Sequence, residues 1–177
     1  TMNEGFPVES NDFRTILARI KTDNPDVIYI AGLASHITAA LKQTKDLGIS
    51  TQIITFRTGD DPLLISESKG LAEGVIFSSN FDPSSSNSEV QQFVSEYENK
   101  YEILPDGYAA EGYEGTKFVG KVLVKCGRDY VCIRDYFSGI KNYPTVFGSI
   151  SFDNSGDITY DFFLKTVRNG QFVRLEN

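Results

Sequence analysis

Asn24-Pro25-Asp26-Val27-Ile28-Tyr29-Ile30-Ala31-Gly32 decides how the rest of this chain is read. Pro25 ends whatever precedes it, because its ring disfavours helical geometry at Asn24. Asp26 to Ala31 is rich in β-branched residues and nearly continuous in apolarity, the pattern of a strand covered on both faces. Upstream, Phe13, Ile16, Leu17 and Ile20 fall at i, i+3, i+4 and i+7, one face of a helix that Asn11 or Asp12 caps. Downstream, Gly32 to Ser35 is a tight loop. Ser35 caps a helix carrying Ile37, Ala40, Leu41 and Leu47, which Gly48 ends. Gln52 to Phe56 is a second strand, and a helical turn after Pro62 leads through Gly74 into a third, Val75-Ile76-Phe77. Strands alternating with helices in this way specify an α/β fold with a parallel sheet flanked by helices and right-handed crossovers. Such sheets bind small molecules beyond the carboxyl ends of their strands, so function is sought in the loops after Ala31 and Phe56.

Beyond Phe77 the alternation stops. Ser78 to Ser88 is a polar loop, and Ser86-Asn87-Ser88-Glu89 reads as a capping box. Three helices follow without a strand between them, carrying Val90, Phe93, Val94, Tyr97 and Tyr101, then Phe118, Val119, Val122 and Leu123, then Ile133, Tyr136, Phe137 and Ile140. The second starts near Tyr108 and Asp129 caps the third. The tail changes to a period of two. Ser149 to Phe152 and Ile158 to Val167 flank an Asn-Ser-Gly-Asp turn, and Asn169-Gly170 closes a hairpin with Gln171 to Leu175. Three parallel strands are few for so many helices. The pattern is that of part of a two-lobed body, with crossings between lobes near Asn80 and near Thr159.

Composition narrows the function. A formal net charge of −7 argues against nucleic acid as a partner, since phosphate backbones require clustered Lys and Arg. No apolar run is long enough to span a membrane. Cys126 and Cys132 lie six apart, a spacing that suits neither a zinc site nor a Cys-x-x-Cys redox pair. Two buried thiols or a small-loop disulfide in an oxidising compartment remain open for them. The serines lack a base partner and a nucleophile elbow, and no glycine-rich phosphate loop follows a strand, so no catalytic residue, metal site or cofactor site is assigned. His36, the lone histidine, reads as a surface residue at a helix start.

Asp12-Phe13, Ile20-Lys21, Asn24-Pro25-Asp26-Val27-Ile28-Tyr29, Leu47-Gly48, Ala72-Glu73-Gly74-Val75, Phe93, Tyr97, Tyr108-Ala109-Ala110-Glu111-Gly112-Tyr113-Glu114-Gly115 and Gly148 to Asp157 occur in a telling order. In that order the chain resembles the carboxyl-terminal half of type I periplasmic substrate-binding proteins, of the branched-chain amino acid (Leu/Ile/Val-binding) group that serves ABC transporters. The resemblance covers nearly everything from Asp12 onward. It implies parallel sheets flanked by helices in two lobes, incomplete in this chain, with ligand held in a cleft between lobes. It assigns residues 1–79 to part of the second lobe, 80–158 to part of the first, and 159–177 to a hairpin returning to the second. Family members are longer, which marks these residues as a natural or engineered piece.

The resemblance further implies a non-enzymatic solute-binding component without cofactors, periplasmic or extracellular, made with a signal peptide and lipid-anchored in its full-length form. Its implied partners are a small-molecule ligand (an amino acid or related carboxylate) and the transporter's membrane permease. A ligand-sensing domain of a receptor or regulator is the alternative role for the same fold. Self-association through sheet edges left unpaired is a further expectation. By the resemblance, Gly32, Leu33, Ala34 and Ser35 contact ligand, where a plain helix-capping turn is the other reading. Arg57 and Thr58 form the second contact. A guanidinium there repels an ammonium and favours a carboxylate, unless Arg57 is a solvated residue paired with Asp60 or Asp61. Tyr108 packs on ligand or fills a gap between helices.

Overall fold

A computed structural model describes residues 2–176. The elements are α1 (Arg14–Asp23), β1 (Val27–Ile30), α2 (Ala34–Asp46), β2 (Gln52–Thr55), a 3-10 turn (Arg57–Gly59), α3 (Pro62–Ser68), β3 (Ile76–Ser79), α4 (Ser88–Tyr101), α5 (Gly107–Cys126), α6 (Tyr130–Ser138), β4 (Tyr143–Thr145), β5 (Gly148–Phe152), β6 (Ile158–Thr159), β7 (Phe163–Arg168) and β8 (Gln171–Arg174). They form two compact units. Unit 1 runs to Ser79 and resumes at Phe163, and unit 2 is Asn80–Phe162.

Unit 1 is a five-stranded sheet in the order β1-β2-β3-β7-β8. The pairs β1–β2 and β2–β3 are parallel, as the alternation requires, while β7 and β8 add antiparallel strands. Asn169 and Gly170, both with positive φ (52° and 70°), make the tight turn of the β7–β8 hairpin. Phe13 and Leu17 before and on α1, Ile37 and Leu41 on α2, and Leu64 on α3 merge with Ile28, Ile30, Ile53 and Phe77 into one buried cluster. This corrects the expectation that β1 is covered on both faces. Ile28 and Ile30 are buried, but Val27 and Tyr29 on the opposite face are 45% and 57% exposed, because the helices cluster with the other side.

Unit 2 has no parallel strand pair among its described residues. It consists of α4, α5, α6 and an antiparallel sheet β4-β5-β6. Phe81, Val90, Phe93, Val94, Ala110 and Val146 form one buried cluster; Phe118, Ile140 and Ile150 form another. Asp106 and Asp129 cap α5 and α6 with side-chain oxygens on Ala109 N–H and on Val131 and Cys132 N–H. Cys126 and Cys132 are joined as a disulfide that ties the end of α5 to the first turn of α6, Cα atoms 5.5 Å apart.

Three local expectations are corrected. The cap of α4 is Asn87, whose Oδ1 accepts from Glu89 N–H at 2.8 Å, in place of Ser86. Ile158 to Val167 is two strands, since the chain breaks at Tyr160 to Phe162 and passes from β6 of unit 2 to β7 of unit 1. Helix α2 begins one residue before Ser35, with Leu33 as its N-cap and no capping side chain.

Candidate functional site

The carboxyl ends of β1 and β2 bring two of the sequence-predicted loops together. Thr55 Oγ1 donates to Ile30 C=O at 2.7 Å, and three residues on, Thr58 Oγ1 donates to Gly32 C=O at 2.5 Å. The Gly32–Ser35 turn and the Arg57–Thr58 turn therefore lie side by side at one end of the sheet. Leu33 and Ser35 are exposed there, Ala34 is buried, and Gly32, Arg57 and Thr58 are half-buried. The first turn of α2 presents main-chain N–H groups of the kind that lack partners within a helix. With the helix dipole and the Ser35 hydroxyl, that end suits an anion.

His36 builds the first turn from beneath. Contrary to the surface reading, it is 7% exposed. Its Nδ1 accepts from Leu33 N–H at 3.1 Å, so Nε2 carries the hydrogen and donates to Val8 C=O at 2.8 Å. Phe6 and Phe13 pack edge-on against the imidazole. The imidazole is thus consumed by structure, supplying the reciprocal half of a capping arrangement that Leu33 lacks. A Cβ at Gly32 would stand 2.9 Å from His36 Cβ, so this turn closes tightly only on glycine.

The second turn is set by sheet register. Thr55 pairs with Phe77, and Phe77 with Lys165. Directly paired residues share a face, and Ser79, two along from Phe77, shares it too. Onto that face the 3-10 turn descends: a Cβ at Gly59 would lie 2.6 Å from Thr55 Cγ2 and 3.0 Å from Phe77 Cβ. Asp60 comes next and is buried. Its carboxylate accepts from Ser79 Oγ at 2.5 Å and from Lys165 Nζ at 3.1 and 3.0 Å. Sequence reasoning missed this pair, offering Asp60 only as a partner for Arg57. Asp61 caps α3, its Oδ1 accepting from Leu63 N–H at the head of that helix. Asp60 is thus held by Lys165 and Ser79, and Asp61 is engaged as a cap.

Tyr108 belongs to unit 2. It is the second residue of α5 in unit 2, with its ring partly exposed. Two depressions of unit 1 lie elsewhere, one of about 650 Å³ at the amino ends of β2 and β3 and one of about 770 Å³ along the free edge of β1; neither is lined by residues of the two turns beyond His36. Among the described residues no group of three His, Cys, Asp or Glu side chains is placed to hold a metal ion.

Comparison with known proteins agrees with the fold. A family model described as periplasmic binding protein matches residues 1–171. The chain is 26% identical over 162 residues to a Leu/Ile/Val-binding protein homolog of Brucella abortus, covering 89% of this chain and 42% of the relative. Its structure is similar to that of a leucine binding protein from Thermotoga maritima, with a TM-score of 0.89 and 27% identity over 97% of this chain and 49% of that one. An ABC transporter substrate-binding protein from Desulfitobacterium hafniense, solved in complex with leucine, gives a TM-score of 0.73 and 26% identity over 98% of this chain and 50% of the other. The chain spans about half the length of these relatives, 42% to 50%. A mixed sheet with parallel strands, paired turns at its carboxyl edge and a family match over almost every residue lead to one assignment: the chain belongs to the periplasmic binding protein family.

Proposed function

We propose that this chain is part of the solute-binding component of an ABC transporter, and that its Gly32–Ser35 and Arg57–Thr58 turns receive the carboxylate of an amino acid or related small acid. The observation that carries the reading is the Thr58–Gly32 hydrogen bond, which sets a helix amino terminus beside an arginine. Both recognise anions, the first through oriented N–H groups and the second through a forked cation. The relatives named for leucine, isoleucine and valine support an amino acid as the solute. The guanidinium of Arg57 favours the ligand's acid group over its ammonium at this wall. On this reading Tyr108 of unit 2 supplies an aromatic contact, the protein works outside the cytoplasmic membrane, and its second partner is the transporter's permease. The role is binding, without bond-making chemistry.

Because the chain covers under half of a curated relative, these turns are proposed as one wall of a larger site. Calorimetric titration tests this. The 177-residue chain is expected to bind L-leucine with a Kd of about a millimolar or weaker, corresponding to roughly 4 kcal/mol. A longer polypeptide that includes the chain is expected to bind an amino acid far more tightly, and Arg57→Gln in it to weaken that binding at least about tenfold. Unchanged affinity in the Arg57→Gln protein contradicts the reading.

A further inference from the structure

The 3-10 turn that bears Arg57 and Thr58 is tied to the Gly32 turn through Thr58 Oγ1 and packs Gly59 against Thr55 and Phe77. Its own backbone bonds are Gly59 N–H to Phe56 C=O and Asp60 N–H to Arg57 C=O, at 2.8 and 2.9 Å. Short 3-10 segments of this kind have poor hydrogen-bond geometry and are easily rearranged. The carboxylate at the end of the turn is anchored far more firmly. Asp60 and Lys165 are 8% and 6% exposed, and Ser79 is fully buried. Three donated hydrogen bonds converge on that one carboxylate, from residues 19 and 105 positions away in the sequence. A charge taken out of water to this degree is tolerated only when its partners are fixed.

The partners also occupy particular places. Ser79 is the last residue of unit 1 before the chain leaves for unit 2, and Lys165 is the third residue after it returns at Phe163. One carboxylate therefore joins the turn to the end of β3 and the start of β7, the two strands through which the chain exits and re-enters unit 1.

We infer that Asp60 is a positioning residue, whose buried contacts with Lys165 and Ser79 fasten the Arg57–Thr58 turn to both connecting strands. Resting on the proposed function, this deepens it: the direction in which Arg57 and Thr58 face a ligand depends on a group that never touches the ligand.

Hydrogen exchange on the 177-residue chain tests the inference without any ligand. The double variant Asp60→Asn with Lys165→Met removes both charges, so it leaves neither one buried alone. In it the amides of residues 59 and 60 are expected to exchange at least about tenfold faster, while those of β1 and β2 change by less than about twofold. Lys165→Arg, which keeps the charge, retains the wild-type protection at the turn. Equal acceleration everywhere, or no acceleration at residues 59 and 60, overturns the inference. If the double variant fails to fold, Ser79→Ala takes its place, and a local acceleration of about threefold at the same amides is expected, with an unchanged turn overturning it. L-leucine added to the wild-type chain gives a second arm. Chemical-shift changes at Arg57 to Gly59 that need at least about fivefold more leucine in the double variant support the inference. A wild-type chain whose turns ignore leucine sinks the proposed carboxylate site, and the exchange data still decide the role of Asp60.

Discussion

Unit 1 and unit 2 bury their apolar residues by different means. In unit 1 the strands collect side chains from α1, α2 and α3 into a single cluster, and the pairing partners are far apart in sequence. In unit 2 two smaller clusters form between helices and an antiparallel sheet, α6 contributes no buried residue, and Val119, Leu123 and Val124 of α5 remain exposed. A covalent bond of six-residue separation and an Asp129 cap tie α6 down. The difference teaches where each unit is vulnerable. Unit 1 depends on register and on one buried ion pair; unit 2 depends on local chemistry.

The largest expected effect comes from breaking the ion pair on one side only. Lys165→Met leaves the Asp60 carboxylate buried without its cation, a loss of about 3–5 kcal/mol in denaturant unfolding of unit 1. A loss below about 1 kcal/mol would mean that water reaches Asp60 and the pair holds little. Next, Gly59→Ala drives a methyl into Thr55 and Phe77, and its cost lies toward the upper end of roughly 1–3 kcal/mol for overpacking. Its effect belongs to unit 1, so probes in unit 2 keep their wild-type midpoint. Cutting the disulfide by Cys126→Ser with Cys132→Ser does the reverse. Closing so short a loop is worth about 2 kcal/mol, and unit 2 alone is expected to lose it.

The smallest effect belongs to Lys121 in unit 2. Its hydrogen bond with the Tyr143 hydroxyl holds the ammonium above the ordinary lysine value of 10.5, and exposure to solvent keeps the contribution small. A raised lysine value stabilises the fold fully below 10.5 and ceases to do so as pH climbs through the raised value. The stability difference between wild type and Lys121→Met is therefore expected to be constant near neutrality and to vanish in strong alkali. A difference that grows with pH would contradict the sign.

The two units also differ in how far their sequence reveals them. The strands around Ile28, Ile53 and Phe77 were legible because apolar runs and turn residues are local signals. The run Ile158 to Val167 misled because its apolar alternation continues through Tyr160 to Phe162, where the chain leaves one sheet for another. His36 was unreadable for a different reason: its carbonyl partner, Val8, lies 28 residues away. Asp60 was unreadable for the same reason, with Lys165 at 105 residues. One clue did exist. Lys165 stands among Phe163, Leu164, Thr166 and Val167, and a lysine within an apolar strand calls for a buried acid. The two turns were found by a rule about strand ends, and the side chains that hold them in place were not.

The central claim is that the paired turns of unit 1 recognise an acid group. Nuclear magnetic resonance mapping of the chain against L-leucine, 4-methylpentanoate and isoamylamine tests it directly, because the second compound keeps only the acid and the third only the amine. Leucine and 4-methylpentanoate are expected to shift the amides of Leu33 to His36 and Arg57 to Gly59, and isoamylamine to leave them unmoved. Shifts by the amine at these turns, or shifts by the acids confined to the free edge of β1, would contradict the account.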